Sequence, residues 1–292
     1  MKKIAIIGLG LIGASLLKSL QNKGVELIAI SSTPETVKKI QELSLARTVT
    51  SEMEVATGCD VVFVCTPIST VCDILSKLSG ILSKDTVVAD AASVKGFICE
   101  YAKNLNLNFI GSHPMAGTEN SGFDSADEHL FEGAKWVLTP DDEEGQKDEI
   151  ALLESVISKT GARAVIMKPD VHDEAVALIS HVPMILSQSL FYMISNYEKP
   201  DIGEAAKLLA SSGFRDMTRL ACSNIKMATD MVEYNKDNIF SAINRFSSYE
   251  QNLLDNYERS VLEKIVKDRK NMYSKEGKNL LSLIHISEPT RH

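Results

Sequence analysis

The chain has 292 residues, 44% hydrophobic and 24% charged, proportions that exclude a disordered or fibrous protein and leave room for about two globular domains. A formal charge of −8 argues against a nucleic-acid partner, because tracking phosphates requires clustered Lys and Arg, and it means that an anionic ligand must be met by local cations. The five cysteines, Cys59, Cys65, Cys72, Cys99 and Cys222, are odd in number and lack metal-ligand spacing, which points to reduced side chains, a cytoplasmic location and no metal site.

In chain order, Met1-Lys2-Lys3 and the apolar run to Leu17 have the outline of a signal peptide, but no small-residue cleavage pattern closes the run. Residues 4–7 instead predict a strand, followed by Gly8-Leu9-Gly10-Leu11-Ile12-Gly13 and a helix through Leu20. This is the strand-turn-helix setting of a dinucleotide-binding Rossmann fold. Gly8 permits the tight turn, Gly10 lets backbone approach a pyrophosphate, and Gly13 allows helix and strand to pack closely, with Leu11 and Ile12 in the helix N-terminus facing the phosphates. No other run approaches the ~20 apolar residues of a membrane span.

A second strand over residues 27–30 ends at Ser31-Ser32-Thr33, where an NAD site usually offers a carboxylate to the ribose 2′-hydroxyl. Without that carboxylate, and with Lys38 and Lys39 nearby, the balance tips slightly to NADP over NAD. The alternative is that Ser31 bonds an NAD ribose and the lysines lie on a solvated helix face. Strands at 61–65 and 87–89 deliver Thr66-Pro67 and Ala89-Asp90-Ala91-Ala92-Ser93-Val94-Lys95 to the carboxyl edge of the sheet, where open α/β sheets bind ligands. Ser93 reads equally well as a ligand contact and as a helix N-cap.

A fifth strand at 109–110 leads into Gly111-Ser112-His113-Pro114-Met115-Ala116-Gly117-Thr118-Glu119-Asn120-Ser121-Gly122, read as a rigid loop that presents the imidazole. His113 is open to a structural role or to work as a general base. Strands at 136–139 and 164–167 extend the sheet, completing a doubly wound, mainly parallel α/β domain over residues 1–168. Pro169 ends the last strand and Asp170 is placed to cap the next helix. Residues 171–197, 203–221, 225–234 and 236–273 carry helical periodicity, giving an all-helical domain over 169–279 whose surplus of apolar faces predicts a homodimer. Residues 280–292 read as a disordered or non-native tail.

Five of these motifs, in this order over roughly residues 3–275, resemble the prephenate dehydrogenase family with its arogenate and cyclohexadienyl variants: the glycine turn through Ala14-Ser15, Asp90 to Lys95, His113 to Gly122, Ser180-His181-Val182-Pro183, and Ser212-Gly213-Phe214-Arg215-Asp216-Met217-Thr218-Arg219. The resemblance implies oxidative decarboxylation with hydride transfer to NAD(P), giving 4-hydroxyphenylpyruvate or tyrosine. It makes His113 the catalytic histidine with Ser93 assisting at the substrate 4-hydroxyl, has His181 and Arg219 hold substrate carboxylates, and sets Glu119 at the mouth of the site as a gate. Asp216, close to Arg219, would pair with an amino group on arogenate. From spacing alone, Arg219 reads instead as a surface ion pair with Asp216, and His181 as a core histidine.

Two other readings compete. A β-hydroxyacid dehydrogenase would use a lysine of the helical domain, for which Lys207 and Lys226 are available, but it leaves the His113 segment unexplained. A catalytically silent dinucleotide sensor would bind cofactor without turning over a ring substrate.

Overall fold

A computed structural model describes residues 1–118 and 120–274. Glu119 and the tail expected over 280–292 lie outside the described residues. Eight strands form one sheet: β1 (Lys2–Ile7), β2 (Val25–Ile30), β3 (Thr48–Thr50), β4 (Val61–Val64), β5 (Val87–Asp90), β6 (Asn108–Pro114), β7 (Lys135–Thr139) and β8 (Arg163–Ile166). Their spatial order is β3-β2-β1-β4-β5-β6-β7-β8, and every neighbouring pair is parallel except β6 with β7. The chain winds outward from β1 in one direction and from β4 in the other. The crevice outside the ends of those two strands is therefore the topological switch point, where such sheets bind ligands.

Both faces of the sheet are buried, which is why the strands read as unbroken apolar runs. Side chains alternate across the pleat, so Ile4, Ile6 and Phe63 join one core with Leu16, Leu17, Trp136 and Leu153, while Ala5, Ile7 and Val62 join the other with Leu75, Ile98, Met184 and Met231. The helices that cover these faces include α1 (Leu11–Ser19), α2 (Pro34–Glu42), α3 (Ile68–Ser79), α4 (Gly96–Lys103) and α5 (Lys147–Lys159).

Beyond β8 the described residues hold helices α6 (Pro169–Val176), α7 (Val182–Ser195), α8 (Pro200–Leu209), α9 (Ser212–Thr218), α10 (Ile225–Tyr234), α11 (Lys236–Asp255) and α12 (Arg259–Met272). Pro169 occupies the first turn of α6, where its missing N–H costs nothing, and Lys168 rather than Asp170 holds the cap position. The helical runs expected over 203–221 and 236–273 are each broken, the first after Leu209 and the second between Asp255 and Arg259. Compact packing divides the chain into two units, Met1–Ile239 and a second beginning at Phe240, so that α6 to α10 belong with the sheet.

Helices α6 and α7 form one continuous 27-residue helix, Pro169–Ser195, through a π-turn over Ala177–His181. Pro183 lacks the N–H that would bond the carbonyl of Ile179, and the wider turn accommodates that loss. By length and composition this helix could cross a membrane, which corrects the expectation that no such run exists. Its buried side chains include His172, Asp173 and His181, which it supplies to the interior of the protein.

Among the described glycines the closest approach is at Gly13, where a Cβ would lie 2.0 Å from the Gly8 carbonyl oxygen and 3.0 Å from the Cys65 Cβ. Gly13→Ala should therefore shift backbone rather than a side chain. It is expected to cost about 1–3 kcal/mol in denaturant unfolding and to weaken nucleotide binding by at least about tenfold.

Candidate active site

At the end of β1, Gly8 has φ +86° and its N–H donates to the Ile30 carbonyl of β2 at 3.0 Å, closing the turn over the switch point. A side chain there would meet the Cys65 backbone at 2.9 Å as well as adopting a strained conformation. Gly10 is exposed, with no atom within 4 Å of the position a Cβ would take, so the backbone opens onto free space in front of α1. The first-turn amides of Leu11, Ile12 and Gly13 are the unpaired donors of a helix N-terminus. Close by, the buried Thr66 hydroxyl has no hydrogen-bond partner among the described residues, and Pro67 beside it is exposed. An open cradle, free amides and an orphaned hydroxyl suit a dinucleotide diphosphate.

At the ribose end, Ser31 is buried and its Oγ accepts from the Thr33 N–H at 3.2 Å, while Ser32 and Thr33 are exposed. Both lysines named from sequence face carboxylates: Lys39 Nζ lies 2.6 Å from each oxygen of Asp124, and Lys38 lies 3.7 Å from Glu42.

The second half of the site is organised by Asp90, the last residue of β5 and fully buried. Its Oδ1 accepts the Ser112 N–H at 2.8 Å, its Oδ2 accepts the Ala92 N–H at 3.0 Å, and Oδ2 also pairs with the ammonium of the equally buried Lys95. The Asp90 carbonyl accepts a hydrogen bond from the Ser112 hydroxyl, and Ser112 Oγ in turn accepts from the Trp136 indole at 3.1 Å. The loop carrying Ser93 and the strand end carrying His113 are thus tied to one carboxylate. Ser93 is half-buried and does not cap α4; the cap position is Lys95.

His113 lies on strand rather than on the loop expected from sequence. β6 continues to Pro114, with His113 opposite Val137 and Pro114 opposite Trp136 in the antiparallel pair with β7. That extension depends on a partner 20 or more residues away, which local sequence does not announce. His113 Nδ1 lies 2.9 Å from Nε2 of His172, whose Nδ1 lies 2.8 Å from Asp173 Oδ1. Asp173 also accepts the backbone N–H groups of Lys95 and Gly96, both at 2.7 Å, and so caps α4 from α6. Burial holds the His113 imidazole well below its ordinary range, and the positive charge that His172, Lys95 or His181 places near it when protonated acts in the same direction. It is neutral at physiological pH.

His181, at the end of the π-turn, is fully buried and pushed down to about 4, chiefly by burial. Asn235 Nδ2 donates to His181 Nδ1 at 3.1 Å and to the Asp173 carbonyl at 2.8 Å, while Asn235 Oδ1 accepts from Asn238. The His181 proton therefore sits on Nε2, which has no partner among the described residues. A buried donor without an acceptor is a ready contact for a ligand oxygen. Arg219 is exposed at the start of a 3-10 turn, Arg219–Cys222, that packs against α7. Asp216 is exposed too and faces Arg215 at 3.8 Å, so the ion pair with Arg219 expected from spacing is not formed. His172, Asp173 and Asn235 were missed by sequence reasoning; the His172-Asp173 dipeptide stands outside any local motif, and only the docking of α6 brings it to β6.

A glycine turn over the switch point of a doubly wound sheet, a neutral histidine at the carboxyl edge, and a helical segment supplying further polar groups define a nicotinamide-dependent dehydrogenase. Comparison with known proteins narrows the class. The profile described as "Prephenate dehydrogenase, nucleotide-binding domain" matches residues 16–166, and that described as "Prephenate dehydrogenase, dimerization domain" matches residues 168–270. The prephenate dehydrogenase of Lactococcus lactis subsp. cremoris is 33% identical over 257 residues, covering 85% of this chain and 69% of its own length. Among solved structures, Synechocystis arogenate dehydrogenase is 36% identical with a TM-score of 0.80, covering 92% of this chain and 97% of that one. Prephenate dehydrogenase from A. aeolicus, in complex with hydroxyphenyl propionate and NAD+, is 30% identical with a TM-score of 0.81, covering 93% and 96%.

The chain belongs to the prephenate dehydrogenase family. It is an NAD(P)-dependent enzyme of oxidative decarboxylation, which displaces the hydroxyacid dehydrogenase and silent sensor readings.

Because His181 resists protonation to about 4 while an unfolded histidine titrates near 6.5, its burial favours the folded state above pH 6.5 and destabilises it as pH falls toward 4. Chemical denaturation across that window should show stability falling with acid. His181→Gln should remove part of the slope, up to about 1.4 kcal/mol per pH unit.

Proposed function

We propose that the enzyme oxidises prephenate or arogenate with His113 as the general base, the reading carried by a neutral imidazole at the carboxyl edge of the sheet, held on one side by His172. The base accepts a hydrogen bond from the ring 4-hydroxyl and then its proton, strengthening the push on the departing hydride, with Ser93 assisting at the same hydroxyl. Loss of hydride and of carbon dioxide together make the ring aromatic. NAD(P), held by Gly8, Gly10, Leu11, Ile12, Gly13, Thr66 and Pro67, supplies the hydride acceptor.

His181 Nε2–H and the Arg219 guanidinium hold the substrate carboxylates, the arginine through two parallel charge-assisted hydrogen bonds. Glu119 is the gate at the mouth. Asp216 discriminates the amino acid side chain of arogenate from the keto acid of prephenate.

For the cofactor, the lack of a carboxylate after β2 and the exposed hydroxyls of Ser32 and Thr33 favour NADP, whereas the engagement of Lys38 and Lys39 by Glu42 and Asp124 favours NAD. NADP retains a slight advantage, since a 2′-phosphate would compete with Asp124 for Lys39. The division of labour is a nucleotide domain over residues 1–168 and a helical domain from 169 that joins two copies. Leu178, Ile179, Phe191, Tyr192 and Met193, all exposed on the long helix, are the apolar surface a homodimer would cover.

The test is the appearance of reduced-nicotinamide absorbance in a grid of prephenate or arogenate against NAD or NADP. Turnover in one or more cells supports the reading, and silence in all four overturns it. Run on Asp216→Asn, the same grid should shift preference toward prephenate; an unchanged ratio removes Asp216 from that role. His113→Asn should bind cofactor normally and lose about two to four orders of magnitude in kcat. Near-normal turnover would exclude His113 as the base.

A further inference from the structure

The Asp173–His172–His113 chain has a direction when His172 carries a single ring proton, because only one arrangement then satisfies it. The Asp173 carboxylate accepts hydrogen bonds and cannot donate them, and it already takes the amides of Lys95 and Gly96. His172 must therefore donate to it from Nδ1, across 2.8 Å. Neutral His172 then carries no proton on Nε2, which becomes an acceptor for the Nδ1–H of His113 across 2.9 Å. The ring planes are nearly perpendicular, at 80°, and the centres lie 5.1 Å apart, a separation that with 2.9 Å between Nδ1 and Nε2 leaves the two nitrogens facing each other.

We propose that His172 and Asp173 are positioning residues that lock His113 in the tautomer with its proton on Nδ1, leaving the Nε2 lone pair as the base. The inference rests on His113 being the base, as argued above. A free imidazole exchanges between tautomers, and the wrong one would present N–H to a substrate hydroxyl that must give up its proton. Once His113 accepts that proton, the imidazolium is stabilised through His172 by the buried carboxylate, so one chain sets the resting form and steadies the charged one.

The lock is also structural at its far end, because Asp173 caps α4 and Asn235 holds the Asp173 carbonyl. His172 is 1% exposed and Asp173 5% exposed, so water does not replace either link. Among the described residues the titratable and charged groups around His113 are His172 and Asp173 from α6, Lys95 from the β5–α4 connection with its partner Asp90 at the end of β5, and His181 from the π-turn.

Substitution at His172 separates the lock from simple packing. In His172→Gln the side-chain carbonyl can still accept the His113 Nδ1–H, whereas His172→Leu fills the space without an acceptor. Asp173→Asn can donate its amide to His172 and reverse the whole chain, although it also weakens the α4 cap. The expected result is a kcat loss of about 10²–10⁴-fold for His172→Leu and Asp173→Asn, with KM and NAD(P) affinity within about threefold of wild type, and recovery to within about tenfold in His172→Gln. Nitrogen-15 spectra of the histidine-labelled enzyme should show protonated Nδ1 on His113 in wild type and His172→Gln, and its loss in His172→Leu.

Equal losses in His172→Gln and His172→Leu, wild-type turnover in His172→Leu, or an unprotonated His113 Nδ1 in the wild-type enzyme would overturn the lock. Should Asp173→Asn fail to fold, the His172 pair decides alone. Failure of the parent reading looks different: His113→Asn would then turn over normally, whatever the His172 variants do.

Discussion

A buried carboxylate at the end of β5 holds the two sides of the site together. Asp90 receives the ammonium of Lys95 and the amides of Ala92 and Ser112, so the loop bearing Ser93 and the strand bearing His113 share one anchor with no access to water. A buried ion pair is a poor source of net stability, because desolvating both charges offsets their attraction, but removing one partner strands the other at a cost of about 3–5 kcal/mol. Its value here is directional. A hydrophobic pair of the same volume could fill the space without telling Ser112 where to stand, and His113 follows Ser112 in the strand.

The helical segment completes what the sheet begins. Asp173 reaches back from α6 to cap α4, His172 meets His113, and the π-turn before Pro183 delivers His181 with its Nε2–H unpaired. All of these belong to the same compact unit as the sheet, which explains why the division of the chain by packing falls at Ile239 and not where strands give way to helices. Burial has the same effect on His113 and His181, keeping both neutral.

Legibility in the sequence followed the range of the interactions. The glycine turn, the apolar strands and the change to helix after Pro169 are set within a few residues, and they were readable. β3 was not, because Thr48-Val49-Thr50 is too short and polar to stand out, and it exists by pairing with β2. The extension of β6 through His113 was hidden for the same reason, since its partner β7 lies beyond the intervening loop. The breaks that split the long helical runs at Ala210 and at Asn256 carry no proline, so periodicity ran through them. At the site, Ser93 and His113 stood out by their place at strand ends, Asp216 by its nearness to Arg219, and His181, Arg219 and Glu119 by resemblance, whereas Asp173 and His172 became visible only when a helix was laid against a strand end.

The cap that Asp173 provides has a consequence for how the molecule could be watched. The amide protons of Lys95 and Gly96 belong to the connection between β5 and α4, yet what shields them is a carboxylate delivered by α6. Their exchange with solvent would clock the parting of helix from sheet rather than the melting of either, making two backbone protons a reporter of how often His113 is left without its support.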